Sequence, residues 1–320
     1  MTANPQDRPA GGQSTVSRPA AWGLLSLVIV LWGANWTVMK VGLASIPPLT
    51  FAASRMVMGA AILAAIAAAL GQLRRPSRGD WPIVLGVGLI QMGAFMALTT
   101  FALQYVPAGR SALLAYTTPL WVVPIAALVL HERLSPRKTA GFVLGVGGII
   151  ILFNPLGFDW TDRNVLIGNG LLIFAALLWA VLIVQIRGHR WQGTPLSLGP
   201  WQFAVGGCLL IPLALLVEDL DAIRWSAELG WVLLYNGPLA TAFCFWAIVT
   251  VNRALPAVTT SLGSLGVPAF GILTAAVVLG EPVTPTTVLG FASIVGGLLL
   301  VFLADRGHHQ PAAPTADRAR

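Results

Sequence analysis

Residues 107–136, PAGRSALLAYTTPLWVVPIAALVLHERLSP, decide the fold, because the chain writes this stretch twice. Residues 256–285 read PAVTTSLGSLGVPAFGILTAAVVLGEPVTP. Laid together without a gap, Pro107, Ala108, Leu113 and Pro119 meet Pro256, Ala257, Leu262 and Pro268. Ala126, Ala127, Val129, Leu130, Glu132 and Pro136 meet Ala275, Ala276, Val278, Leu279, Glu281 and Pro285. The register runs on through Gly141, Phe142, Val146, Gly147, Gly148 and Phe153, which meet Gly290, Phe291, Val295, Gly296, Gly297 and Phe302. That makes about sixteen identities in roughly 47 positions, and matched Pro, Glu and Phe do not follow from apolar composition. A weaker echo links Leu31-Trp32 to Leu178-Trp179 and Lys40 to Arg187.

Outward from the repeat, composition names the solvent. Of 320 residues, 56% are hydrophobic and 10% charged, and the mean hydropathy is +0.79. A water-facing surface needs more charge than that, since soluble domains carry about 25%. Apolar runs fall at 21–44, 48–70, 81–104, 107–131, 137–154, 165–187, 197–217, 228–251, 256–280 and 285–304. Each is near the ~20 residues that cross ~30 Å of hydrocarbon as a helix. Period-two alternation is absent, which excludes a membrane barrel. The expectation is an all-α membrane protein of ten transmembrane helices, with polar, disordered cytoplasmic tails at 1–20 and 305–320. The first run is long and lacks a cleavage site, so it reads as a helix of the mature protein and not a signal peptide.

The net charge of +7 does not point to nucleic acid, because the cations sit in short loops between apolar runs. With the amino terminus inside, about fourteen basic residues, among them Arg18, Arg74, Arg133, Lys138, Arg190 and Arg306, are cytoplasmic. Arg163 and Arg224 alone fall in external loops, which places both termini in the cytoplasm. Two cysteines, Cys208 and Cys244, lie inside apolar runs and form neither a disulfide framework nor a metal motif.

Each copy of the repeat, 21–154 and 165–304, holds five spans. An odd number turns the second copy upside down, so Glu132 ends its helix inside and Glu281 ends its helix outside. Inverted repeats around a central cavity are the architecture of many secondary transporters, with substrate held near the midplane.

Leu31-Trp32-Gly33-Ala34-Asn35-Trp36, then Lys40, Pro47-Pro48 and Phe51 to Arg55, resemble the opening of EamA-type proteins of the drug/metabolite transporter superfamily. The stretch from Gln104 through Pro107-Ala108, Pro119 and Glu132 to Gly147-Gly148 resembles the end of a repeat of that family, and 253–302 resembles it again. The resemblance covers 21–304. It implies ten helices in two inverted repeats, a central cavity, and export of amino acids or other small metabolites across the inner membrane; YddG-like amino-acid exporters are one branch. Ala180 stands where the first copy has Gly33, a departure that puts close backbone approach there in doubt.

Candidate cavity residues follow from spacing. Trp32, Asn35 and Trp36 share a face of the first helix, and Gln91, Phe95 and Thr99 form a stripe on the third. Tyr116 on the fourth, Trp179 on the sixth, and Tyr235, Phe243 and Trp246 on the eighth complete an amphipathic wall. Interhelical hydrogen bonding and ordinary packing are the competing reading of the same positions. Lys40, Arg55 and Arg110 lie within spans; each is either a site for a substrate carboxylate or a structural anchor that snorkels, caps helix carbonyls or bonds Glu281, the anchor being the preferred reading for Lys40 and Arg110 and neither being preferred for Arg55. Pro119 and Pro268, at matched positions, are expected hinges. Gly141-x-x-x-Gly145 is expected to pack inside the bundle.

Catalysis has no support in these residues. No two carboxylates share a mid-membrane face, and the histidines are peripheral, with His308-His309 reading as a solvated tail. Proton coupling through a buried carboxylate is disfavoured for the same reason. The expectation is a carrier of small molecules that needs the bilayer but no metal, cofactor or nucleic acid, its oligomeric state unspecified. A drug or nucleotide-sugar carrier is the nearest alternative; a membrane receptor or assembly subunit, and a membrane-embedded enzyme, are the others.

Overall fold

The computed structural model describes residues 16–129, 135–153, 161–189, 191–255 and 265–306. Glu132, His308-His309, most of both tails and the start of the ninth span lie outside them. The helices of the described residues group into ten spans in chain order, with one short 3-10 turn at Leu220–Ala222, and the described residues hold no strand. The first span is Arg18–Gly42, opening before the apolar run because Ser17 accepts from the Ala20 amide and Pro19 suits the first turn. The second, third and fifth are Pro48–Ala69, Trp81–Ala102 and Pro136–Phe153. The sixth and seventh are Arg163–Gly188 and Pro195–Val217. The ninth is described over Gly266–Leu279 and the tenth is Pro285–Arg306. Six of the helices are long and apolar enough over the described residues alone to cross a membrane.

The fourth span is broken. Ala108–Ala115 ends at Tyr116, and Thr118–Val129 restarts two residues on. The Thr117 hydroxyl donates to Leu114 O at 2.7 Å and the Thr118 hydroxyl to Ala115 O at 2.9 Å, covering carbonyls the break exposes. Pro119 falls in the first turn of the new helix, where a missing N–H costs nothing. It therefore opens the second half of the span, and Pro124 is the proline inside that helix.

Regular α geometry also fails in the third and eighth spans. Val87–Phe95 is π-helical, and so is Tyr235–Phe243 between Ala227–Leu234 and Cys244–Ala254 of the eighth. The two stretches stand at matching places in the two copies. Such widened turns gather at functional sites.

Packing shows the inversion directly. The fifth and tenth spans cross with glycine against glycine: a Cβ on Gly141 would lie 2.7 Å from Gly297 O, and one on Gly148 2.8 Å from Gly290 O. The start of one helix thus meets the end of the other, which is antiparallel. Gly141-x-x-x-Gly145 is in this internal seam. The first span packs on the ninth and the sixth on the fourth, the same contact with the copies exchanged. At Gly33 a Cβ would meet Val267 O at 2.9 Å, whereas the buried Ala180 carries its methyl at the corresponding place. Outside the bundle, Leu216, Leu128 and Val277 are more than 70% exposed, a surface suited to lipid.

Candidate functional site

A cavity of about 550 Å³ lies between the copies. The first span contributes Trp32, Asn35 and Trp36 with Met39, a single i, i+3, i+4, i+7 face. Arg55 and Met56 face them from the second span, and Gln91, Phe95 and Thr99 from the third. Tyr116 enters at the break in the fourth span and Trp179 from the sixth. Nine of the twelve residues expected at the site are thereby brought together.

Tyr235, Phe243 and Trp246 are not among the lining. Their places on the eighth span are taken by Ala240, Thr241, Phe245 and Ile248. The span turns another face inward: Thr241, Phe245 and Ile248 follow one another at i, i+4 and i+7, away from Phe243 and Trp246. Tyr235 donates its hydroxyl to Leu31 O at 2.7 Å, and Phe243 stacks on Trp246 at 5.9 Å. Sequence reasoning also missed Pro195, Gln202 and Phe203 of the seventh span, and Trp191 just before it. Met39 was legible, four residues beyond Asn35 on the same face.

Arg55 is the charged residue of the lining, at 3% exposure. Its Nε donates to Thr241 Oγ1 at 3.3 Å and Nη1 to Met39 Sδ at 3.2 Å. No acidic side chain lines the cavity among the described residues. Asn35 donates Nδ2 to the same sulfur at 3.1 Å, and its Oδ1 has no partner. Trp32 donates Nε1 to Ala240 O in the π stretch at 2.8 Å, and Phe95 meets Trp179 edge-on at 4.7 Å.

The other two intramembrane cations are consumed in structure. Lys40 Nζ donates to Leu103 O, and at 3.2 Å to both Gln104 O and Val106 O, closing the end of the third span. Arg110 donates to Leu152 O at the end of the fifth. Two carboxylates work at the same face. Glu218 accepts from the Leu49 and Thr50 amides at 2.7 Å each, and Glu281 from Ala108 N at 2.6 Å and Gly109 N at 3.0 Å. Each caps a helix start that has proline ahead of it and no side-chain cap of its own. Arg224 adds bonds to Ala44 O and Ser45 O. The lining stops at Met39 and Thr99, below these ties.

Toward the opposite face, where the first span begins, the lining runs out through Ile186 and Ile248 to Trp191 and Pro195. That end is held by Asp80, which accepts from Gln192 N at 3.0 Å, Ser77 Oγ at 2.9 Å and His189 Nε2 at 3.3 Å. Burial raises the Asp80 pKa, but bonds from Gln192, His189, Ser77 and Gly193 outweigh it and hold the carboxyl below its ordinary value. His189 meets Trp191 edge-on at 5.3 Å. Among the described residues the lining reaches Trp191 and Pro195 at one end and stops short of the ties at the other.

Two copies of the model for the EamA-like transporter family match this chain, over residues 20–154 and 166–303. The chain belongs to the EamA-like transporter family. As an EamA protein of the drug/metabolite transporter superfamily it is a multi-pass membrane transporter. It is 28% identical over 289 residues to a probable amino-acid metabolite efflux pump of Escherichia coli K12, covering 87% of this chain and 93% of that one. A probable terminal-alkyne amino-acid exporter of Streptantibioticus cattleyicolor is 26% identical over 300 residues, 93% of this chain and 98% of its own. An uncharacterised transporter of Bacillus subtilis, YoaV, is 27% identical over 87% of this chain and 94% of its own. A crystal structure superposes on 92% of this chain and 100% of its own at TM-score 0.62 and 23% identity, a likeness of fold.

Proposed function

We propose that this EamA protein exports small metabolites, amino acids foremost, across the inner membrane by alternating access. The copies 21–154 and 165–304 are the moving halves, and both termini are cytoplasmic. The observation that carries this reading is the one-sided cavity between inverted copies, with a placed polar group at its deep end. With the positive-inside orientation, the end at Trp191 and Pro195 faces the cytoplasm and the ties of Lys40, Glu218 and Glu281 close the outer face. The names of the Escherichia and Streptantibioticus relatives support the amino-acid class and the outward direction. The lack of a carboxylate in the described lining supports facilitated movement or exchange over proton coupling.

The test is uptake and exchange by purified protein in liposomes against labelled amino acids, sugars, nucleotide sugars and organic cations. Saturable exchange of amino acids is expected. Preference for a nucleotide sugar or a cationic drug overturns the substrate class. A rate that rises steeply with an imposed proton gradient overturns the coupling.

A further inference from the structure

A guanidinium carries five N–H donors and a thioether is a poor acceptor. Arg55 spends one donor on the Thr241 hydroxyl and one on Met39 Sδ, and the rest have no protein acceptor among the described residues. Lys40, by contrast, meets three carbonyls. An unpaired cation inside a membrane protein is expensive and marks a functional group. Asn35 holds the complementary deficit, a buried carbonyl oxygen with nothing to accept. Arg55 Nη1 and Asn35 Nδ2 touch the same sulfur, at 3.2 and 3.1 Å, so the two side chains with unmet hydrogen bonds meet at one atom of the cavity lining.

We infer that the deep end of the cavity recognises an α-amino-carboxylate headgroup, Arg55 taking the carboxylate and the Asn35 side-chain oxygen taking the ammonium. This rests on the carrier reading above and names what that site selects. A simple carboxylate satisfies Arg55 alone, an amine satisfies Asn35 alone, and the zwitterion satisfies both. An amine without a carboxylate also meets the Arg55 charge with no acid to offset it. Beyond the pair, Trp32, Trp36, Phe95, Trp179 and Met56 offer an apolar, largely aromatic space. The preferred side chain is therefore large and apolar. Cation–π attraction from Trp32 and Trp36 assists the ammonium end.

Equilibrium binding of labelled L-phenylalanine to the purified full chain in detergent, with 3-phenylpropionate and 2-phenylethylamine as competitors, tests it. L-Phenylalanine is expected to bind tightest and 3-phenylpropionate on the order of tenfold weaker, the worth of one charge-assisted hydrogen bond. 2-Phenylethylamine is expected not to compete. Arg55→Met should abolish binding of both acids while melting no lower than the parent, because it removes a charge the fold does not pair. Asn35→Leu should close the gap between L-phenylalanine and 3-phenylpropionate. Competition by the amine as strong as that by the amino acid overturns the proposal, and so does a melting loss in Arg55→Met with binding retained. The competition on the parent protein decides even where a variant does not fold. L-Phenylalanine bound in this pattern but not exchanged in liposomes keeps the site and overturns the carrier. Exchange of another solute with no L-phenylalanine binding keeps the carrier and overturns the site.

Discussion

Gly141 and Gly297 face each other so closely that a Cβ on either would lie within 2.7 Å of the other's carbonyl oxygen. Gly297 stands 149 residues beyond Gly148, not Gly141. The contact therefore joins the start of one copy's last helix to the end of the other's. The partner contact, Gly148 with Gly290, is the same one seen from the other side. The fifth and tenth spans make a seam that no side chain can enter.

Gly141→Val should put its branched side chain into backbone and destabilise the protein by about 1–3 kcal/mol, the cost of overpacking. Gly147, one helix turn and a half away, has open space where a Cβ would go. Thermal unfolding in detergent should show a loss for Gly141→Val and little change for Gly147→Ala. Equal melting of the two would place the seam elsewhere.

Glu218 and Glu281 each hold two amides at a helix start, the second span for one and the fourth for the other. Replacing either by Ala leaves those amides unpaired, at about 1–3 kcal/mol. The alanine variants should melt lower than the parent, and the double variant should lose close to the sum because the sites are separate. Unchanged melting in both would show that water serves those amides as well.

The Asp80 carboxylate holds His189 and Gln192 between the sixth and seventh spans, and its pKa in the folded protein is below its ordinary value of 3.8. The unfolded chain therefore binds the proton more readily. The stabilisation is fully present above the unfolded pKa and is lost as pH falls through the folded one. Melting measured against pH should separate the parent from Asp80→Asn by a constant margin at neutral pH. The margin should shrink only below about pH 4. A margin unchanged well below pH 4 would show that the carboxylate's charge is not what holds His189 and Gln192.

Pro119 starts the helix after the break at Tyr116 and Thr117, and Pro268 lies in the first turn described for the ninth span. A hinge role at these matched positions predicts that changing either proline to Ala slows transport more than it reduces the amount of folded protein. Transport per folded molecule, measured in liposomes for both variants, is the readout. Parental rates in both variants would make these prolines simple helix starts.

With Cys208 and Cys244 first replaced, a cysteine at 35 or 179 should be labelled by a membrane-impermeant thiol reagent and protected by substrate. A cysteine at 235 should resist labelling, because the Tyr235 hydroxyl is spent on Leu31 O outside the lining. Labelling at 235 with none at 35 or 179 would move the cavity to another face.

Much of this molecule is determined by its sequence alone. Ten apolar runs, the repeat of 107–153 in 256–302 and the odd number of spans per copy dictate helices, count and inversion, because hydrocarbon thickness and helical rise leave few alternatives. The faces of the first and third spans were legible too: Trp32, Asn35 and Trp36, and Gln91, Phe95 and Thr99, follow side-chain periodicity through to the cavity. On the eighth span residue type misled: Tyr235, Phe243 and Trp246 are aromatic but face away, and Thr241, Phe245 and Ile248 line the cavity. Which face of an apolar helix turns inward is set by the helices packed against it. The division of labour among charges was equally hidden. The sequence set Arg55 apart from Lys40 and Arg110 only as the more even choice between binding and anchoring; among the described residues the folded bundle gives Lys40 three carbonyls, Arg110 one, and Arg55 a hydroxyl and a thioether beside the cavity. Partners for a buried charge come from distant segments, so tertiary structure alone decides which cation is left free to bind.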